Sequence, residues 1–192
     1  MSSNKWAKNV ILVDAVFLDK MGYIFRSNYE RLLKRDVNKA DLAIWLESAM
    51  LDGGLRVGDN TVQVVVLFDE NAEGFDNFLP SDFNKELNGK GFKGPLGEFR
   101  LAAFPAFSKV VRLKSFFMQT LENILQAEEV ERLVVVGDNE ECGEEIADRL
   151  TKSPDKEVTI LTTAPIKGEG FKQDLLGYSL TRALGISPDE MQ

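Results

Sequence analysis

The chain contains no histidine and a single cysteine, Cys142. Without histidine, Ser-His-Asp and Cys-His hydrolase mechanisms lose their base, and the commonest transition-metal ligand is missing. One cysteine forms no internal disulfide, and tetrahedral zinc needs more nitrogen or sulfur ligands than this chain offers. Catalysis is left to carboxylates, lysine, tyrosine or a hard metal ion. Long apolar runs are also missing. Stretches such as Val64–Phe68 are far too short to span a bilayer, and Met1–Val10, despite Lys5 and Lys8, has no apolar run of signal-peptide length. The sequence therefore predicts a cytoplasmic protein with no membrane partner. Positive charge is scarce: 23 Lys and Arg stand against 31 Asp and Glu, giving a net charge of −8 and a pI near 4.8. An acidic surface repels phosphate backbones, so RNA is a disfavoured partner. Basic residues gather only at Arg31, Lys34 and Arg35 and at Lys109, Arg112 and Lys114, and both groups read as solvated helix faces.

The 192 residues, 44% of them hydrophobic and 28% charged, have the size and composition of one globular domain. Residues 1–186 read as that domain, and 187–192 as a tail that frays. Short apolar, β-branched runs predict strands at Val10–Val13, Val62–Phe68, Leu133–Val136 and Val158–Leu161, with Phe99–Phe104 as a fifth. Runs without polar alternation fit strands buried on both faces. Helical spacing appears in Leu42–Met50, stopped by Gly53-Gly54, and again in Val110–Leu125, Glu140–Leu150 and Leu175–Leu184. Alternating strands and helices predict a three-layer α/β/α fold with a mostly parallel sheet of four to five strands. Between them, residues 74–107 form an insertion rich in glycine and phenylalanine, expected to pack on its own aromatics.

Aspartates follow the strands. Asp14 comes directly after VILV, Asp69 after VVVLF, and Asp138 after LVVVG. In a parallel sheet the carboxyl ends of the strands share one edge, where open α/β sheets bind ligands. Carboxylates converging there call for a hard cation or for a retained proton. One reading is thus a Mg²⁺ or Mn²⁺ site acting on phosphate esters. The other is plainer, since Asp is a favoured N-cap and turn residue where a strand hands over to a helix. Glu140 and Asp138 open the helix after Gly137 and would complement its dipole. Cys142 sits on the same turn, where those acids oppose any lowering of its pKa.

The order of VILVDA, VVVLFDE, a lysine-headed helix from Lys114, LVVVGDNEE and VTIL resembles the PIN-like superfamily, most closely its NYN branch. The similarity spans roughly Val10 to Leu161. It implies a compact α/β domain and, for an active member, a Mg²⁺-dependent ribonuclease with Asp14, Asp138 and Glu140 as catalytic residues and Asp14, Asp69, Asp138 and Glu140 around the metal. Two positions depart from the family pattern. Ala15-Val16-Phe17 stand where an asparagine is expected after the first strand, and Phe117 replaces the aspartate of the lysine–x–x–aspartate helix start. Glu122, one or two turns on, is the nearest substitute acid. The function expected is that of a degenerate, non-catalytic binding or self-associating protein, with the Phe-rich segment and the C-terminal helix as contact surfaces. A divergent Mg²⁺- or Mn²⁺-dependent ribonuclease or phosphoesterase is the alternative.

Overall fold

A computed structural model describes residues 5–107, 112–153 and 155–192. The chain opens with β1 (Asn9–Asp14) and a long helix α1 (Ala15–Leu33), then a two-residue strand β2 (Ala40–Asp41), α2 (Leu42–Asp52) and β3 (Asn60–Asp69). The glycine- and phenylalanine-rich stretch supplies β4 (Phe78–Leu79), a π-helical turn (Phe83–Leu87), β5 (Gly91–Gly94) and β6 (Gly97–Ala106). Then come α3 (Leu113–Gln126), β7 (Arg132–Val136), α4 (Asn139–Thr151), β8 (Glu157–Thr162), β9 (Lys172–Leu175) and α5 (Leu176–Ala183). The expected helix start at Val110 and the basic residue Lys109 lie outside the described residues.

The main sheet has seven strands in the order β5-β6-β3-β1-β7-β8-β9, and only β5 runs antiparallel to its neighbour. The four to five strands read from the sequence are therefore an undercount. The added edge strands, GFKG and KQDL, are short and mostly polar or glycine, so they carry no apolar run to betray them. The chain winds outward from β1 through β3 to β6, crosses back to β7 and continues outward to β9. That is the doubly wound order, which reverses direction between β1 and β7.

Strand residues alternate between two cores. Ile11 and Val13 join Val64, Val66, Val134 and Val136 beneath α1, α2 and α5. Val10 and Leu12 join Val65, Leu67, Leu133, Val135 and Ile160 beneath α3 and α4. Both faces are thus covered, which explains why the central strands read as continuous hydrophobic runs. The aromatic insertion completes the first core. Phe68 stacks on Phe83 at 4.4 Å, Phe75 lies 5.0 Å from Phe83 and 5.1 Å from Phe78, and Phe92 stacks on Phe99 at 4.7 Å. Of the phenylalanines in this segment, Phe104 and Phe107 stay exposed.

The β6 edge is guarded by its sequence. Leu101 N donates to Lys90 O, and Ala103 N to the Asn88 side chain. The next outward-facing position in that alternation is Pro105, which has no N–H to offer a foreign strand. Pro188–Met191, in the segment expected to fray, forms a 3-10 turn with a capping box between Ser187 and Glu190. Arg35 holds it to the end of α1 through Glu190 Oε1, at 2.9 Å from Nε and 2.6 Å from Nη2. Among the described residues no helix is long and apolar enough to cross a membrane.

Candidate functional site

Asp14 and Asp138 flank the point where the sheet reverses direction. Val13 pairs with Val136, so Asp14 stands one residue beyond that pair and Asp138 two. Each begins a helix. Asp14 Oδ1 accepts from Phe17 N at 3.1 Å as the N-cap of α1. Asp138 Oδ1 accepts from Glu140 N and Glu141 N, both at 3.1 Å, as the N-cap of α4. Extended backbone at a strand end followed by an aspartate oxygen on the first free amides is the usual way such a helix starts.

The two caps differ in exposure. Asp14 is only 8% exposed, and burial pushes its carboxyl up to about 6 from the usual 3.8. Hydrogen bonds from Phe17 and Val16 oppose that rise, while the charges of Asp138 and Glu141 add to it. Sequence reasoning misses Glu141. Its place beside Asp138 on the first turn of α4 is the signal that could have found it.

Asp69 is used differently. Its Oδ1 accepts from Asn71 N at 2.9 Å and Asn71 Nδ2 at 3.0 Å, closing a turn over the end of β3. Glu140 is exposed and lines a groove on the α1/α5 side of the edge. Among the described residues no group of three or more Cys, Asp and Glu side chains is placed to hold a metal ion. The sheet brings Asp14 and Asp138 together and does not gather Asp69 and Glu140 into the same cluster.

Below this edge the second core comes up close. Phe117, 1% exposed, packs under the turn before Asp138, where a Cβ on Gly137 would meet its ring at 2.7 Å. One turn nearer the start of α3, Lys114 reaches Glu145 at 3.0 Å, which holds its ammonium above the usual range. Glu122 lies near Arg149, with 3.7 Å between Oε2 and Nε, on the outer side of α3 and α4. The Cys142 thiol, buried and donating to Asp138 O at 3.1 Å, is pushed up to about 11 by burial and by Asp138, with Lys114 opposing. It is protonated at neutral pH and a poor nucleophile.

The residues present do not fit a hard cation. Asp14 and Asp138 each keep Oδ1 on a helix amide, among the described residues no group of three or more carboxylates is placed to hold a metal ion, and an aromatic ring occupies the helix position beneath. Mg²⁺ prefers near-octahedral oxygen coordination with carboxylates free to reach it.

A groove of about 880 Å³ opens beside the pair, between α1 and α5. Ile24, Phe25 and Tyr29 form one wall, Leu175, Tyr178 and Thr181 the other, and the tail residues Pro188 and Met191 close one end. Its floor is the carboxyl end of β8, at Thr162 and Thr163. Asn139 fixes that floor to the start of α4, accepting from Thr163 N at 3.2 Å and donating to Thr163 Oγ1 at 3.1 Å. The two helices approach closely because Gly177 faces Phe25, where a Cβ would fall 2.9 Å from the ring. A hydrogen bond of 2.7 Å between the Tyr29 and Thr181 hydroxyls ties them one turn further on.

Fold and site together define a doubly wound α/β protein with a capped aspartate pair and an apolar groove at the carboxyl edge of its sheet. The chain belongs to a family of unknown function (DUF6621), whose model matches residues 3–191. No curated protein and no solved structure matches it.

Proposed function

We propose that this chain is a non-catalytic binding protein on a degenerate PIN/NYN-like domain, working in the cytoplasm. The groove between α1 and α5 is its binding surface. One observation carries this reading: the sheet edge where such a fold places its chemistry holds two carboxylates committed to capping, next to a preformed apolar groove. Apolar clefts of a few hundred to about a thousand Å³ with a few fixed polar groups are the usual form of a ligand site. Phe117 supports the loss of catalysis, because it stands where the resemblance expects an acid and fills the space beneath Gly137.

The test is cleavage of single-stranded and structured RNA with Mg²⁺ and with Mn²⁺, beside an Asp14→Asn/Asp138→Asn control. The expected result is no metal-dependent cleavage. Cleavage that disappears in the control would establish the alternative, a divergent ribonuclease or phosphoesterase using Asp14, Asp138 and Glu140.

A further inference from the structure

We infer that the turn Pro188–Met191 is a gate on the α1/α5 groove, latched shut by the ion pair between Arg35 and Glu190 and opened to admit and release a small molecule. The inference rests on the groove being the binding surface and adds how its occupancy is controlled.

The turn is a self-contained unit with little to hold it down. Just before it, Leu184 and Ile186 are buried, and Ile186 N donates to Thr181 O at 3.2 Å. Past Ile186 that anchoring stops. No side chain of Pro188–Met191 is buried, and Met191 stays 55% exposed although it lines an apolar cavity. The hydrogen bonds that shape the turn are its own: Ser187 N donates to Glu190 Oε2 at 3.0 Å, and Glu190 N to Ser187 O at 3.1 Å. A segment with so few buried contacts opens locally at a cost far below that of unfolding the domain.

Among the described residues, two polar contacts tie the turn to the body of the protein. Arg35 donates to Glu190 Oε1 from Nε and Nη2, so one carboxylate shapes the turn through Oε2 and latches it through Oε1. The Tyr29 hydroxyl lies 3.7 Å from Met191 Sδ and 2.7 Å from Thr181 Oγ1, which joins the turn to both helices that wall the groove. The latch is directional, since a guanidinium fork meets a carboxylate. It is also weak, because the Arg35 and Glu190 side chains are 43% and 32% exposed. Ion pairs in that setting shift a population only a few-fold, and salt screens them. Pro188 and Met191 make the end wall of the cavity, so unlatching the turn opens that end. A ligand that touches Met191 binds the closed form better and draws the gate shut behind it.

The probe is N-phenyl-1-naphthylamine, an uncharged apolar dye that brightens out of water, and its release is followed by stopped-flow fluorescence from the intact chain and its variants. Arg35→Met and Glu190→Gln remove the latch, and Arg35→Lys keeps the charge without the fork. Lys152→Met breaks a comparably exposed pair with Asp148, outside the groove lining, as a control. Ile24→Lys puts a charge in the wall and should abolish dye binding. Release should quicken about two- to fivefold in Arg35→Met and Glu190→Gln, the size of one exposed ion pair, less in Arg35→Lys and not at all in Lys152→Met. Raising NaCl to about 1 M, where the screening length is about 3 Å, should bring release from the unmodified chain level with that from Arg35→Met. Hydrogen exchange at the Ser187 and Glu190 amides reads the latch without any ligand and should accelerate in Arg35→Met. Unchanged exchange would overturn the latch. Accelerated exchange with equal release from Arg35→Met and the unmodified chain would overturn the gate and leave the groove as the binding surface. Absence of dye binding, or binding that Ile24→Lys does not weaken, would overturn the groove and the gate with it.

Discussion

The Phe117 ring lies so tightly against Gly137 that a Cβ built on the glycine would come within 2.7 Å of Cζ and 2.8 Å of Cε1. Ile146 Cδ1 would stand 3.2 Å away on the other side. The turn that presents Asp138 is thus seated on a packed aromatic, and its glycine is required by close approach. Gly137→Ala should lose about 1–3 kcal/mol in chemical denaturation, the range for overpacking a filled core. The double variant Gly137→Ala/Phe117→Leu should cost less than the two single changes added together, because the smaller side chain makes room. Strict additivity would show that the two residues do not share this contact.

Asp14 makes stability depend on pH in a direction opposite to that of a carboxylate paired with a cation. Its folded pKa, about 6, lies above the usual 3.8 because of burial first and neighbouring acids second. The folded state then holds a proton that the unfolded chain has released, so this contribution is full below about pH 4 and is lost as the pH rises through about 6. About two pKa units correspond to roughly 2–3 kcal/mol. Asparagine keeps an oxygen for Phe17 N and removes the charge. Asp14→Asn should therefore match the unmodified protein near pH 4 and exceed it by about 2 kcal/mol above pH 7. Denaturant midpoints across that range are the measurement, and parallel pH profiles for the two proteins would refute the assignment.

Much of this architecture is written in the central strands. VILV, VQVVVLF, LVVV and VTIL are apolar throughout because both of their faces are covered, and that pattern survives without any knowledge of neighbours. The helix α1 is not legible in the same way. Val16, Tyr23, Ile24 and Leu32 are exposed, so apolar residues run round the helix and blur the stripe that marks one buried face. Ile24 faces the groove, and Gly22 leaves room on the helix face for Phe78 to approach. The same holds for the site. The aspartates are visible as strand-ending residues, and their placement on adjacent strands follows from the parallel sheet. Their role as caps depends on which oxygens meet which amides, and the groove depends on the meeting of α1 with α5, some 150 residues later in the chain. Neither leaves a local pattern.

Asp19, on α1, ties the aromatic insertion to the rest of the fold. Its carboxylate accepts from Asp76 N at 3.0 Å, Asn77 N at 2.9 Å and Asn77 Nδ2 at 3.3 Å. Asn77 is buried, so losing the acceptor leaves donors unpaired away from water. Asp19→Ala should cost about 2–3 kcal/mol, with Asp19→Asn intermediate because it retains one acceptor. Hydrogen exchange at Asp76 and Asn77 should accelerate in the same order. Unchanged exchange in Asp19→Ala would show that the loop is held by Phe75 and Phe78 packing alone.

Phe117→Asp puts an acid on α3 beneath Asp138 and tests whether the space beneath Gly137 can become a metal site. The ring is fully enclosed by Leu121, Ile146 and the β1 and β7 side chains of the second core. Replacing it removes a large apolar contact and places a carboxylate among aliphatic groups, where ionisation is strongly opposed. The cost should be at least about 3–5 kcal/mol, read as a fall in the melting temperature. A cation held by Asp14, Asp138 and the new acid would return part of that loss in proportion to its concentration over its dissociation constant. Asp14 and Asp138 offer a cation only the oxygen that is not on a helix amide, and the new acid would lie among the aliphatic side chains of the second core, where its ionised form is opposed. Millimolar Mg²⁺ or Mn²⁺ should therefore leave the variant's melting temperature where it is without metal. A metal-dependent rise in Phe117→Asp, absent from the unmodified chain, would show that a single side chain separates this site from a working metal centre and would overturn the non-catalytic reading's structural basis.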